Sequence, residues 1–138
     1  MLSVPHRMGL TSIAAAALLA SVLAFPARAA VIGVGASADG KTLRSHVGDR
    51  IVVTLKANAS TGYAWVPAAA GAPVLRLDSA RYLPASSTGV VGAPGRYVAR
   101  FTVRAAGRAR IVLVYVRHTR PKTPPAARFS LTIVATKR

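Results

Sequence analysis

The 138-residue sequence has no cysteine, no glutamate, and only three acidic residues, Asp39, Asp49 and Asp78. Without cysteine there is no disulfide framework and no attachment point for a lipid anchor. The three aspartates fall in or near predicted turns or a strand. Paired-carboxylate catalysis and two-metal centres therefore lack their parts, and no base-activated serine sits in a nucleophile elbow. His46 and His118 lie in separate loops with no acid cluster beside them, which argues against a metal site. No enzymatic activity, metal, cofactor or small-molecule substrate is expected. Helical periodicity is missing as well: Ala68–Ala72 is too short, and Gly71 and Pro73 close it off.

The one long apolar run lies near the start. Arg7 precedes a mostly apolar Leu10–Phe25 segment, and Ala27-Arg28-Ala29 follows. That is the pattern of a secretory leader, and the run falls short of the ~20 residues a membrane-spanning helix needs. Residues 1–29 are expected to be a signal peptide and residues 30–138 a single exported domain, periplasmic or secreted. Positive charge is plentiful, with 19 lysines and arginines and a net charge of +16. Setting aside Arg7 and Arg28 leaves 17 basic residues against the three acids, or +14 for the expected mature domain. Such a field favours acidic partners and predicts weak nonspecific binding to polyanions.

Beyond the leader the pattern has period two, broken by turn residues at short intervals, as in an all-β sandwich or barrel. Val31–Gly35 reads as a first strand, and Arg50–Ala57 alternates with Ile51, Val53 and Leu55 on one face. Gly62–Val66 follows and is expected to stop at Pro67, which lacks a ladder donor. Val74–Leu83 is less regular. Arg96–Arg104 alternates most clearly, with Tyr97, Ala99, Phe101 and Val103 inward and Arg96, Arg100 and Arg104 outward. Ile111–Val116 is apolar throughout, as a central strand would be. Phe129, Leu131 and Ile133 mark the last strand. The expected fold is an immunoglobulin-like β-sandwich of about seven to eight antiparallel strands, with Trp65 in its core.

In an up-and-down order three connections share one end of such a sandwich: Asn58–Thr61, Pro84–Gly95 and His118–Ala127. The first combines residues that hydrogen-bond their own backbone with a glycine that permits positive φ. The second is rich in glycine and the third in proline, which limits the entropy lost when a loop is ordered. The segment Asn58-Ala59-Ser60-Thr61-Gly62-Tyr63, with Trp65 beyond it, resembles the first binding loop of chagasin-type cysteine-protease inhibitors. That family's loop reads Asn-Pro-Thr-Thr-Gly, then an aromatic and, two residues on, Trp. Gly92-Ala93-Pro94-Gly95 is similar to the family's Gly-x-Gly-Gly second loop. Arg117-His118-Thr119 occupies the place of its Arg-Pro-Trp, keeping only the arginine. The resemblance covers essentially the whole chain from about Val31.

The resemblance implies a monomeric inhibitor of papain-like cysteine proteases that occludes the active-site cleft sterically. Thr61 would sit at the catalytic centre, with Asn58, Ser60 and Gly62 fixing its backbone. Residues 92–95 and 117–119 would straddle the cleft. The composition alone supports an alternative, an exported cationic module for anionic surfaces or nucleic acid, with Arg96, Arg100 and Arg104 as its row of charges.

Overall fold

A computed structural model of the protein describes residues 3, 28–85, 94–118 and 123–138. The expected leader lies outside these residues except for its last two and Ser3. Eight strands form two four-stranded sheets. They are β1 (Val31–Val34), β2 (Thr42–His46), β3 (Arg50–Ala57), β4 (Tyr63–Ala70), β5 (Leu75–Leu83), β6 (Gly95–Val103), β7 (Gly107–Arg117) and β8 (Ala127–Thr136). One sheet has the order β1-β3-β6-β5 and the other β2-β8-β7-β4. The described residues contain no α-helix, only two single 3-10 turns at Ala36–Ala38 and Ala59–Thr61.

The core forms where the alternating patterns of the two sheets face one another. Ile51, Val53 and Leu55 of β3 and Tyr97, Ala99, Phe101 and Val103 of β6 are buried on one side. Ile111 and Leu113 of β7 and Phe129, Leu131 and Ile133 of β8 are buried on the other. Each large apolar side chain so enclosed contributes about 1.5–3 kcal/mol relative to an exposed one. The antiparallel register places Leu55 opposite Tyr97, Val53 opposite Ala99 and Ile51 opposite Phe101. The inward faces predicted from alternation therefore meet as a layer.

Three features differ from the sequence expectation. The strand beginning near Gly62 does not stop at Pro67 but runs to Ala70, with a register shift between Pro67 and Ala69. β4 is the outermost strand of its sheet, and an edge strand with an irregular register can carry a residue that has no N–H to donate. Thr42–His46 forms a strand that weak alternation did not reveal. Not every pair is antiparallel either: β1 runs parallel to β3, and β2 runs parallel to β8. These parallel strands sit at the sheet edges, joined to partners distant or indirect in sequence.

Trp65 is half-buried and packs against the core cluster from its margin. Its indole Nε1 donates to the Lys56 carbonyl at 2.9 Å, which ties β4 back to β3. That bond joins strands of opposite sheets, close to the connection between them.

Candidate functional site

The β3–β4 connection is short and hydrogen-bonded within itself. Residues Ala59–Thr61 make one 3-10 turn, with Asn58 as its N-cap in extended conformation. The Asn58 Oδ1 accepts from the Ser60 amide at 3.1 Å and from the Ser60 hydroxyl at 2.6 Å. The Thr61 hydroxyl donates to the Asn58 carbonyl at 2.7 Å. Gly62 ends the turn at φ 76, ψ 4, the left-handed conformation that glycine adopts without a Cβ penalty. The local sequence thus dictates the turn.

Its attachment to the body is not local. The Asn58 amide donates to the Tyr115 hydroxyl of β7 at 3.1 Å, across 57 residues of sequence. The His118 amide donates to the Gly62 carbonyl at 3.3 Å. The Tyr115 ring packs between two aromatics of β4, with centroids 5.4 Å from Tyr63 and 5.0 Å from Trp65. The Arg117 guanidinium lies 4.9 Å from the Tyr63 centroid, a cation–π contact. Cross-strand register explains the grouping, because Trp65 opposes Tyr115 and Tyr63 opposes Arg117. Tyr115 is therefore the clamp of this loop. The sequence offered it only as part of a strand pattern.

The predicted site residues fall into distinct groups. Ala59, Ser60 and Thr61 are exposed at the tip, Gly62 is exposed behind them, and Tyr63 is half-buried at the root. Arg117 and His118 are exposed where β7 ends, beside the root of the first loop. Pro94 is exposed, whereas Gly95 is buried and pairs with Ala57, the last residue of β3. A Cβ on Gly95 would lie 2.3 Å from the Leu83 carbonyl, so this position accommodates only glycine without rearrangement. Gly92, Ala93 and Thr119 lie outside the described residues. The pairings Ala57 with Gly95 and Tyr63 with Arg117 put the described parts of all three loops at one end of the sandwich.

Beneath this end a cavity of about 430 Å³ opens between the β4 and β5 edges. Tyr63, Trp65, Tyr82, Tyr97 and His118 line it. Tyr97 is 5% exposed, and burial pushes its phenol pKa upward. Its hydroxyl finds no hydrogen-bond partner among the described residues. At the opposite end, the buried Asp49 accepts from the amides of Ala30 and His46 at 3.0 and 2.8 Å and pairs with Arg138. Burial alone would raise its pKa, but the two amides and the guanidinium outweigh it and hold the carboxyl below its ordinary value.

Among the described residues the arrangement offers no nucleophile–base pair and no group of three metal-ligating side chains. What it offers is an exposed, internally braced turn flanked by two other chain segments. No curated protein matches the chain. Solved structures with similar folds include a cysteine protease inhibitor from Entamoeba histolytica, with a TM-score of 0.71 and 24% identity over 79% of this chain and 98% of that one. Amebosin matches with a TM-score of 0.62 and 25% identity over 79% of this chain and 100% of its own. The Leishmania mexicana ICP matches with a TM-score of 0.54 and 27% identity, covering 79% and 90% respectively. The family profile described as Chagasin family peptidase inhibitor I42 matches residues 44–133, from β2 to within β8, and so encloses all three loops. The chain belongs to the chagasin family of peptidase inhibitors.

Proposed function

We propose that the protein is an exported, reversible inhibitor of papain-like cysteine proteases that enters the active-site cleft with its Asn58–Gly62 turn. The observation that carries this reading is the bracing of that turn. Asn58 organises it from within, Tyr115 and His118 hold it from outside, and the tip residues remain exposed. A loop already in its bound shape loses little conformational entropy on docking, and that saving appears as affinity. Membership of the chagasin family of peptidase inhibitors, together with a fold shared with a cysteine protease inhibitor from Entamoeba histolytica, supports this target class.

In this mechanism Thr61 takes the central position over the catalytic thiol, and Ala59 and Ser60 fill the cleft beside it. The turn resists becoming a substrate because its peptide bonds lie in a tight 3-10 conformation and not in an extended one. Residues 92–95 and 117–119 contact the cleft rims. Tyr63 supports the third segment from beneath, through Arg117. The protein performs no catalysis of its own. Its action as a monomer and its place in the periplasm or outside the cell belong to the same proposal.

Titration against papain and a cathepsin tests the reading. Stoichiometric, reversible inhibition is expected, and it should persist at moderate salt because the contact is steric. Thr61 is exposed, so Thr61→Arg should leave the fold intact while weakening inhibition at least roughly thirty-fold, as loss of an interface hot spot does. Wild-type inhibition by that variant would overturn the insertion mechanism.

A further inference from the structure

The outer face of the β1-β3-β6-β5 sheet carries a second feature, independent of the loop end. Register pairs Lys56 with Arg96, Thr54 with Val98, Val52 with Arg100, and Arg50 with Thr102 between β3 and β6. On the other side Leu83 opposes Arg96, Arg81 opposes Val98, Ser79 opposes Arg100, and Arg76 opposes Thr102. Directly paired residues share a face. Lys56, Arg96, Arg81, Arg100, Arg50 and Arg76 therefore stand together on one surface, and all six are exposed.

Only one acid shares that block. Asp78 accepts from Arg76 at 2.7 Å and from the Thr102 hydroxyl at 2.5 Å, so its charge is already committed to Arg76. Among the described residues no carboxylate forms a salt bridge with the other five cations, and Arg50 alone of them also feels the Asp78 charge. Three adjacent strands thus hold a two-dimensional array of six cations against one acid, roughly 10 Å across and 20 Å long. A cleft of about 420 Å³ lies between Arg50, Arg76 and Arg100, with Asp78 also on its wall.

We propose that this face docks the protein flat onto anionic lipid bilayers, with lipid phosphates received between the arginines. Three observations favour a bilayer over a nucleic acid. The charges spread over a sheet face and do not follow a single line or project into a groove. The outward positions of the face carry no aromatic ring on which a base could stack. Apolar side chains stand at its margins, Val31 at 70% exposure on one edge and Leu83 at the opposite corner, where an interface would accept them. The strands would lie in the plane of the membrane, so the Asn58–Gly62 turn would point along the surface and stay accessible.

The test is co-sedimentation of the purified protein with phosphatidylglycerol–phosphatidylcholine vesicles and with phosphatidylcholine vesicles alone. Binding is read as the increment that the anionic lipid adds. That increment should be large at low salt and fall as salt rises. Each cation near an anionic surface adds roughly fivefold to partitioning, so Lys56→Gln/Arg96→Gln/Arg100→Gln should lose roughly a hundredfold. Arg108→Gln/Arg110→Gln/Arg128→Gln removes the same net charge from the outer face of the other sheet and should lose far less. Thr61→Gln, a bulkier but uncharged change at the loop tip, should bind vesicles as the wild type does, which separates this docking from protease inhibition. Equal losses in the two triple variants would overturn the proposal, because net charge alone would then govern binding. Tighter binding to duplex DNA than to the anionic vesicles, through the same three residues at the same salt, would also overturn it.

Discussion

Asn58 acts through three atoms at once. Its side-chain oxygen caps the 3-10 turn, its carbonyl receives the Thr61 hydroxyl, and its amide reaches Tyr115. Asn58→Ala keeps the last two and removes the first. A lost cap of this kind costs about 1 kcal/mol, here mainly in the order of the turn. Inhibition of papain should weaken about five-fold, with only a small fall in the thermal midpoint. Two tyrosine-to-phenylalanine changes should move stability in opposite directions. Tyr115→Phe keeps the aromatic packing but strands the Asn58 amide, at a cost of about 1–2 kcal/mol. Tyr97→Phe removes a buried hydroxyl that has no partner among the described residues, and should stabilise by about 1 kcal/mol. Denaturant midpoints of the two variants measure both signs. A destabilised Tyr97→Phe protein would show that the hydroxyl is satisfied after all.

At the scale of elements, what alternation determines was readable and what distant pairing determines was not. β3 spans Arg50–Ala57 as its pattern implied, and β6 is displaced by a single residue from the expected Arg96–Arg104. Both are central strands, where a buried face enforces strict period two. β2 is an edge strand with only Leu43 and Ser45 turned inward, and its partner β8 lies some ninety residues further on. Nothing local marks it. The turn at Asn58–Gly62 was legible because its bonds are made within the segment. Its clamp was hidden, because Tyr115 reaches it only once β4 and β7 are in register. Gly95 shows a similar limit: the sequence places it in a glycine-rich binding loop, but the fold buries it in close approach to Leu83. Gly95→Ala would press a methyl against a backbone carbonyl that cannot rotate away. A loss of about 1–3 kcal/mol is expected from that overpacking, with impaired inhibition because the root of the second loop must shift. A crystal structure or an amide-exchange map of the variant would locate the change at the β5–β6 end.

For the molecule as a whole, the scarcity of acids makes each one consequential. Asp49 gathers the segment before β1, the turn before β3 and the arginine after β8 at the end opposite the Asn58–Gly62 turn. Asp78, on the outer face, is held below the ordinary carboxylate value first by the Thr102 hydroxyl and then by Arg76. In both cases the folded state favours the ionised form. Below the ordinary pKa of about 4 the unfolded chain therefore binds more protons than the folded one. The stabilisation is complete above that value and is lost as pH falls through the depressed folded values. Protonation also removes the few negative charges that temper a strongly cationic molecule, which adds self-repulsion. Unfolding free energy should accordingly be flat from pH 5 to 7 and should fall steeply below pH 4. Asp49→Asn should lower the plateau by about 2–3 kcal/mol, because charged hydrogen bonds in a buried position are lost. It should also flatten the acid limb, since the variant has no proton to gain there. Chemical denaturation of both proteins across that range checks the two effects together. An acid limb equally steep in the variant would shift the origin of acid sensitivity from Asp49 to the overall charge.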